Sequence, residues 1–97
     1  MVKVLYKEKI LAESNDTIKV EGNHYFPLES IDNDFLEKSD LKTTCVWKGV
    51  ASYYSLNLGN EKLTDMVWYY PDPSEEAKSI KDKIAFYQKN GLQVIED

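Results

Sequence analysis

The side chains with the clearest chemical potential lie in one stretch, TTCVWKGVASYY, at residues 43–54. It contains the only cysteine of the chain, Cys45, and places Trp47 and Lys48 directly before Gly49. A thiol becomes a nucleophile when a nearby cation or base lowers its pKa, and a lysine at a bend among aromatic rings suits the rim of a ligand pocket. The structural alternatives are a buried thiol, which is favoured for Cys45, and a surface lysine whose stem covers apolar neighbours.

His24 and Asp65 are two further residues that could take part in chemistry. His24 is the only histidine, and a general-base role is disfavoured because no carboxylate stands beside it in the sequence. Asp65 begins an aromatic strand, where a carboxylate is costly unless it is paired or exposed. A solvated strand end is the somewhat favoured interpretation of Asp65. The short connection at 56–64 predicts an antiparallel hairpin, and it motivates the alternative prediction that Asp65 pairs with Lys48 across neighbouring strands.

Aromatic side chains are concentrated in the segment VWYYP, where strand alternation divides them between two faces. Trp68 and Tyr70 are predicted on one face, and Val67 and Tyr69 on the other. Such a sheet is either covered on both faces or presents an aromatic binding surface. A core built from large rings is the slightly favoured interpretation.

Composition narrows the classes of function. The chain has 97 residues, which predicts a single domain over 1–97, and a net charge of −5. The acidic balance and the absence of arginine argue against nucleic acid or an anionic membrane as the partner. One cysteine and one histidine exclude an internal disulfide and a zinc site built on these residues, so no metal and no cofactor is predicted. A free thiol with no apparent signal peptide or membrane span predicts a cytoplasmic protein.

Turn residues divide the chain into short elements that are mostly β-strands. Gly49 is expected to bend the long run 42–58 or to admit another backbone, and beyond it Val50, Tyr54, Leu56 and Leu58 are predicted to form one inward face. Capping residues predict two short helices, at 30–40 and 74–83. The other predicted strands lie within 2–12, 17–21, 24–27, 63–70, 84–87 and 92–96. The fold class is therefore mainly β (α+β): compact antiparallel sheets or a small barrel-like arrangement with two short helices.

Four segments resemble a known family: GNHYFPLESI, TTCVWKGVASYYSL, TDMVWYYPDP and IKDKIAFY, in this order and spacing. The chain is similar over nearly its whole length to the family called domain of unknown function 427. Val46 replaces a proline that is usual there, which leaves that turn or strand start less constrained. The resemblance implies a compact mainly-β fold with an outline similar to tent-like β folds. Zinc binding and methionine sulfoxide reduction do not carry over, since the chain has a single cysteine, and the family has no assigned activity. The positions that match its motif are Tyr25, Phe26, Pro27, Cys45, Trp47, Lys48, Gly49, Tyr53, Asp65, Trp68 and Tyr87.

Three functional hypotheses follow. The first is a domain that binds a small, possibly anionic, molecule in a polar and aromatic pocket between strands 43–54 and 65–70, near Tyr25. The second is a small enzyme with Cys45 as nucleophile or Lys48 as amine catalyst, and Asp65 or His24 as the proton-transfer group. The third is a protein-interaction module or homodimer that uses strand edges and exposed aromatics. The predicted ligand-binding residues are Tyr25, Cys45, Trp47, Lys48, Tyr53, Asp65 and Trp68.

Overall fold

Short antiparallel β-strands are the main secondary structure of this protein. A computed structural model describes all residues, 1–97, and contains nine strands and three 3-10 helical segments. None of its helices has the length and apolar character that crossing a membrane requires. The strands are β1 (Val2–Tyr6), β2 (Lys9–Ser14), β3 (Ile18–Val20), β4 (Asn23–Tyr25), β5 (Leu36–Cys45), β6 (Gly49–Asn57), β7 (Lys62–Tyr69), β8 (Ile84–Phe86) and β9 (Leu92–Glu96); the 3-10 segments are Leu28–Ser30, Asn33–Phe35 and Glu75–Ile80.

The strands form a three-stranded sheet, β2-β1-β9, a two-stranded ribbon, β3-β4, and a four-stranded sheet, β5-β6-β7-β8. Within each sheet the neighbouring strands are antiparallel. The ribbon is joined to the four-stranded sheet by two backbone hydrogen bonds: the Phe26 N–H donates to the Ile84 carbonyl at 2.7 Å, and the Ile84 N–H donates back at 2.9 Å. β4 thus continues the large sheet beyond β8. This arrangement confirms the predicted mainly-β class.

The first predicted helix, of one or two turns within 30–40, occurs as the single 3-10 turn Asn33–Phe35. The Asp32 side chain accepts from the Asp34 N–H and caps only the 3-10 turn Asn33–Phe35. β5 begins immediately afterwards, because Leu36 pairs with Leu56 of β6 and the hydrogen bonds of the sheet replace those of a helix. The second predicted helix occurs as the 3-10 segment Glu75–Ile80.

The run 42–58 is a hairpin, with Cys45 opposite Gly49 and a tight turn between them. A regular strand would place Cys45 and Lys48 on opposite faces, but the chain reverses between them. Gly49 has φ of +113° and lies against another backbone, so that an added Cβ would be 3.4 Å from the Asp72 carbonyl oxygen. Val50, predicted to point inward, is half exposed beside the turn.

The large sheet is covered on both faces, so two hydrophobic clusters flank it. One cluster lies between this sheet and the β2-β1-β9 sheet. The other lies beneath the β3-β4 ribbon and the segment Glu75–Ile80, and we call it the ring cluster. The first comprises Val4, Leu11, Ala12, Phe26, Ile31, Leu56, Met66, Val67, Ile84, Phe86 and Leu92. The ring cluster comprises Tyr25, Ala51, Tyr53, Trp68, Tyr70, Ala77, Ile80 and Ala85.

Gly49→Ala is expected to lower the free energy of unfolding by about 1–3 kcal/mol, since alanine at a positive φ is strained. The added Cβ would lie at an ordinary van der Waals distance from Asp72, so the loss comes from the backbone strain. Gly59→Ala is the matched control, because Gly59 has φ of +92° but no neighbouring atom within 4 Å of an added Cβ. Urea denaturation should therefore show similar losses for the two variants. A much larger loss for Gly49→Ala would show that the approach of the Asp72 backbone contributes as well.

Candidate functional site

The turn between β5 and β6 holds one buried lysine, which follows two exposed residues. Lys48 is only 6% exposed, whereas Val46 is fully exposed and Trp47 is 39% exposed. The Ser74 N–H donates to the Lys48 carbonyl at 3.0 Å, which ties the turn to the loop that follows β7. The backbone of the turn is thus held in place while the lysine side chain points into the protein.

The Lys48 ammonium pairs with the carboxylate of Glu21, which comes from the turn between β3 and β4. The Trp47 indole Nε1–H donates to the other oxygen of the same carboxylate at 3.3 Å. The ammonium also lies 5.1 Å from the ring centroid of Trp47 and 5.7 Å from that of Tyr70, within the range of a cation–π contact. Two donors, one of which is a cation, therefore converge on a carboxylate that is itself half exposed.

Both members of this ion pair are held in their charged forms. Burial on its own lowers the pKa of Lys48, but the hydrogen bond to Glu21 and the electrostatic effect of Tyr70 outweigh it and leave this pKa above the ordinary value. The hydrogen bonds from Lys48 and Trp47 lower the pKa of the Glu21 carboxyl. Lys48 is thus a cation at neutral pH, which suits binding of an anion and does not suit an amine nucleophile.

The Cys45 thiol is half buried and packs against the ring cluster at the base of the same turn. A hydrogen bond from the backbone amide of Lys48 lowers the pKa of the thiol, burial opposes this effect, and the Trp47 amide adds to it. The backbone of the turn therefore favours the thiolate and lowers the pKa of Cys45.

Tyr25 and Trp68 form the centre of the ring cluster. The Trp68 Nε1–H donates to the Tyr25 hydroxyl at 3.0 Å, and the two rings meet edge to face with centroids 6.3 Å apart. Both residues are buried, and burial raises the pKa of the Tyr25 phenol. The Tyr25 hydroxyl proton is left available to a second acceptor.

Three further phenols lie in or against the ring cluster: Tyr53, Tyr70 and Tyr87. The Tyr53 hydroxyl lies 2.9 Å from the Thr43 Oγ1 and 3.4 Å from the Tyr87 hydroxyl. The hydrogen bond with Tyr53, together with burial, raises the pKa of Tyr87 to about 12, and burial raises the pKa of Tyr70 to about 12. The Tyr70 and Tyr87 phenols therefore stay protonated at neutral pH and can act as hydrogen-bond donors.

The structure brings together all but one of the predicted site residues. Lys48 and Trp47 border the ring cluster at the β5–β6 turn. Asp65 does not belong to it. The residues in or against the ring cluster are Tyr25, Cys45, Tyr53 and Trp68.

The predicted pairing of Asp65 with Lys48 is wrong. The Asp65 carboxylate accepts from the Ser39 hydroxyl, and its backbone N–H donates to the Ser55 Oγ at 3.0 Å. Ser55 lies near the end of β6, whereas Lys48 precedes the first residue of that strand. The hairpin predicted from the short connection is present, but its register places the two charges at opposite ends.

The predicted pocket between strands 43–54 and 65–70 is also wrong, because β6 and β7 are adjacent strands of one sheet. The space over their shared face is filled by the ring cluster. The cavity of this protein, about 160 Å³, lies instead beside His24. A molecule that reaches Lys48 must therefore approach from the surface at Glu21 and Trp47.

Sequence reasoning missed two residues at this site. The sequence pattern could have identified Tyr70, because strand alternation places it on the same face as Trp68. No signal in the sequence indicated Glu21, whose position depends on how the β3-β4 ribbon lies across the sheet. Sequence reasoning also missed the carboxylate partner of His24, which is Glu96 of β9, with 2.6 Å between Nε2 and Oε1.

The family model described as Domain of unknown function (DUF427) matches residues 1–97, and the chain therefore belongs to this family. No curated protein matches the chain. The family assignment agrees with the resemblance of the sequence motifs. It assigns no activity.

Tyr25→Phe is expected to lower the free energy of unfolding by about 1–3 kcal/mol, because it leaves the buried Trp68 Nε1–H without an acceptor. Tyr6→Phe is the control, since its hydroxyl bonds to Glu61 at an exposed position where water can replace it, and its loss should be much smaller. Urea denaturation of the two variants measures the difference. Similar losses would show that the bond between Tyr25 and Trp68 is not what stabilises the ring cluster.

Proposed function

We propose that this protein binds a small anionic molecule through the Lys48 ammonium and the Trp47 indole N–H, in the position that the Glu21 carboxylate holds in the structure. One observation carries the proposal: a buried, charged lysine meets a half-exposed carboxylate supplied by a surface turn. Glu21 is thus an internal occupant that a ligand can displace.

The energetics of burial favour exchange of one anion for another. A buried ammonium is costly without an anionic partner, so the site must always be filled by a group with negatively charged oxygens. Glu21 supplies that group from a residue with φ of +54° at the turn of a short ribbon. A carboxylate or phosphate that accepts from the same two donors keeps Lys48 paired and returns Glu21 to water.

The surrounding rings favour an anion that also carries a flat or apolar part. The indole of Trp47 is partly exposed and offers a face on which a planar group can stack. The ring of Tyr70 lies 5.7 Å from the ammonium, and Tyr25, whose hydroxyl proton is free, belongs to the same ring cluster. The proposed ligand class is therefore a small carboxylate or phosphate monoester attached to a planar group.

Glu21→Gln is expected to strengthen anion binding by roughly fivefold or more, since it removes the charged competitor for the site. Lys48→Met should abolish binding, because it removes the cation while retaining an unbranched apolar side chain. Isothermal titration calorimetry with phenyl phosphate and benzoate, each compared with its neutral analogue, measures both effects. Lys78→Met is the control, because Lys78 is exposed and pairs only with Glu75.

Two results would contradict the proposal. One is binding of phenyl phosphate that survives Lys48→Met, which would place the anion elsewhere. The other is the absence of binding in both the natural protein and Glu21→Gln, which would leave the ion pair with a structural role alone. The thermal unfolding transition of each variant shows whether it is folded at the temperature of the titration.

A second candidate function is thiol chemistry at Cys45, and the lowered pKa of this thiol favours it. The two amides that stabilise the thiolate belong to the turn that also carries Lys48. A small electrophile held by the ammonium would therefore lie close to the sulfur. This candidate shares its position with the anion site, but it requires the thiol to be reachable from the surface.

Alkylation of native protein by iodoacetamide tests this candidate. The rate of alkylation should rise with pH through a midpoint below the ordinary cysteine pKa of about 8.5, because the pKa of the Cys45 thiol is lowered. Lys48→Met should move the midpoint upward only in part, since the backbone amides remain in place. A thiol that reacts only in denaturant would remove Cys45 from consideration.

A further inference from the structure

A polar cavity of about 160 Å³ lies between the β3-β4 ribbon and β9, on the side of β4 opposite to Tyr25. The site proposed above uses no residue that lines this cavity. The apolar part of the wall is formed by Phe86 and Val94. The polar part is formed by Lys19, Asn23, His24, Gln88 and Glu96, together with the backbone at Gly22.

His24 is held in one orientation at the wall of the cavity by contacts at both ring nitrogens. Its Nε2 lies 2.6 Å from the Glu96 Oε1, and its Nδ1 lies 2.9 Å from the Thr17 Oγ1. A carboxylate only accepts, so in the neutral ring Nε2 carries the proton and Nδ1 accepts from the Thr17 hydroxyl. The imidazole is buried to nearly nine-tenths, and Glu96 is the charged group that stands beside it in the cavity.

Two opposite charges stand at the mouth of the cavity. The Lys19 ammonium and the Glu96 Oε1 are 3.9 Å apart, and both side chains are about half exposed. At this separation the pair is loose, and water or a ligand can enter between the two groups. The cavity thus presents one positive and one negative charge side by side.

Gln88 adds hydrogen-bond donors to this pair. Its Oε1 accepts from the Val94 backbone N–H at 3.1 Å, which fixes the amide. The amino group of the amide, with two donors, is the part that remains for a bound molecule. A cavity of 160 Å³ corresponds to roughly five water molecules, so it suits a ligand of about five to eight non-hydrogen atoms.

We propose that this cavity binds a small zwitterion of the amino-acid class. Its ammonium group contacts the Glu96 carboxylate, and its carboxylate contacts the Lys19 ammonium and the amino group of Gln88. Its carbon atoms lie against Phe86 and Val94. This site is separate from the one at Lys48, and it takes a different class of ligand.

Charge matching selects a zwitterion over a singly charged molecule. The charges of Lys19 and Glu96 cancel, so a ligand with no net charge but separated poles satisfies both. A simple anion would pair with Lys19 but face the Glu96 carboxylate, and a simple amine would pair with Glu96 but face the Lys19 ammonium. Like-charge contacts of this kind discriminate against the wrong ligand.

The test uses the imidazole signals of His24, which are unambiguous because it is the only histidine. Glycine, alanine and serine are titrated into the protein at about pH 8, and the ring resonances are followed by NMR. A saturable shift is expected with these zwitterions. Acetate and ethylammonium at the same concentrations are expected to give less than about a fifth of that shift.

Lys19→Met and Glu96→Gln are each expected to weaken alanine binding by roughly tenfold, since each removes one pole of the site. Glu96→Gln retains a group that bonds to His24, so the ring stays in place. Lys89→Met and Glu29→Gln are the control variants, because they remove charges of the same signs outside the cavity. Their affinity for alanine should equal that of the natural protein.

Three results would overturn the proposal: no shift with any zwitterion, equal shifts with acetate or ethylammonium, or undiminished binding in Lys19→Met.

Discussion

The pair of backbone hydrogen bonds between Phe26 and Ile84 is the contact on which the arrangement of this protein depends. It attaches the β3-β4 ribbon to β8 and so extends the four-stranded sheet. Strand alternation then sends Tyr25 to one face of the sheet and His24 and Phe26 to the other. The ribbon therefore contributes to the ring cluster, to the opposite core and to both proposed binding sites.

The two faces of the large sheet explain why so many aromatic residues fit in a small domain. Trp68 and Tyr70 belong to the ring cluster, whereas Val67 and Tyr69 belong to or pack against the other core. A sheet covered on both faces needs large side chains on both, and rings fill such layers with few residues. The aromatic pattern is thus mainly a packing feature, and Trp47 is the ring that the fold leaves most accessible at the candidate site.

The interior of the protein contains one buried charged side chain. Lys48 is the one lysine that the fold buries, and it is kept charged by Glu21 and by neighbouring aromatic rings. The paired carboxylate comes from the surface, where the Glu21 side chain is half exposed. At His24 the same principle applies with Glu96 as the surface group. In both places a buried nitrogen group is matched with a half-exposed carboxylate, which links the interior of the protein to solvent.

The sequence by itself determined the strand-rich class, most turns and the division of aromatics between two faces, because these follow from local periodicity and turn chemistry. It also indicated most of the candidate site, since Cys45, Trp47 and Lys48 are neighbours in the chain. Only the tertiary structure decided the partners: Glu21 lies 27 residues from Lys48, and Glu96 lies 72 residues from His24. The order and register of the strands set such contacts. A periodic pattern shows which face a residue occupies, but it does not show which strand lies next to it.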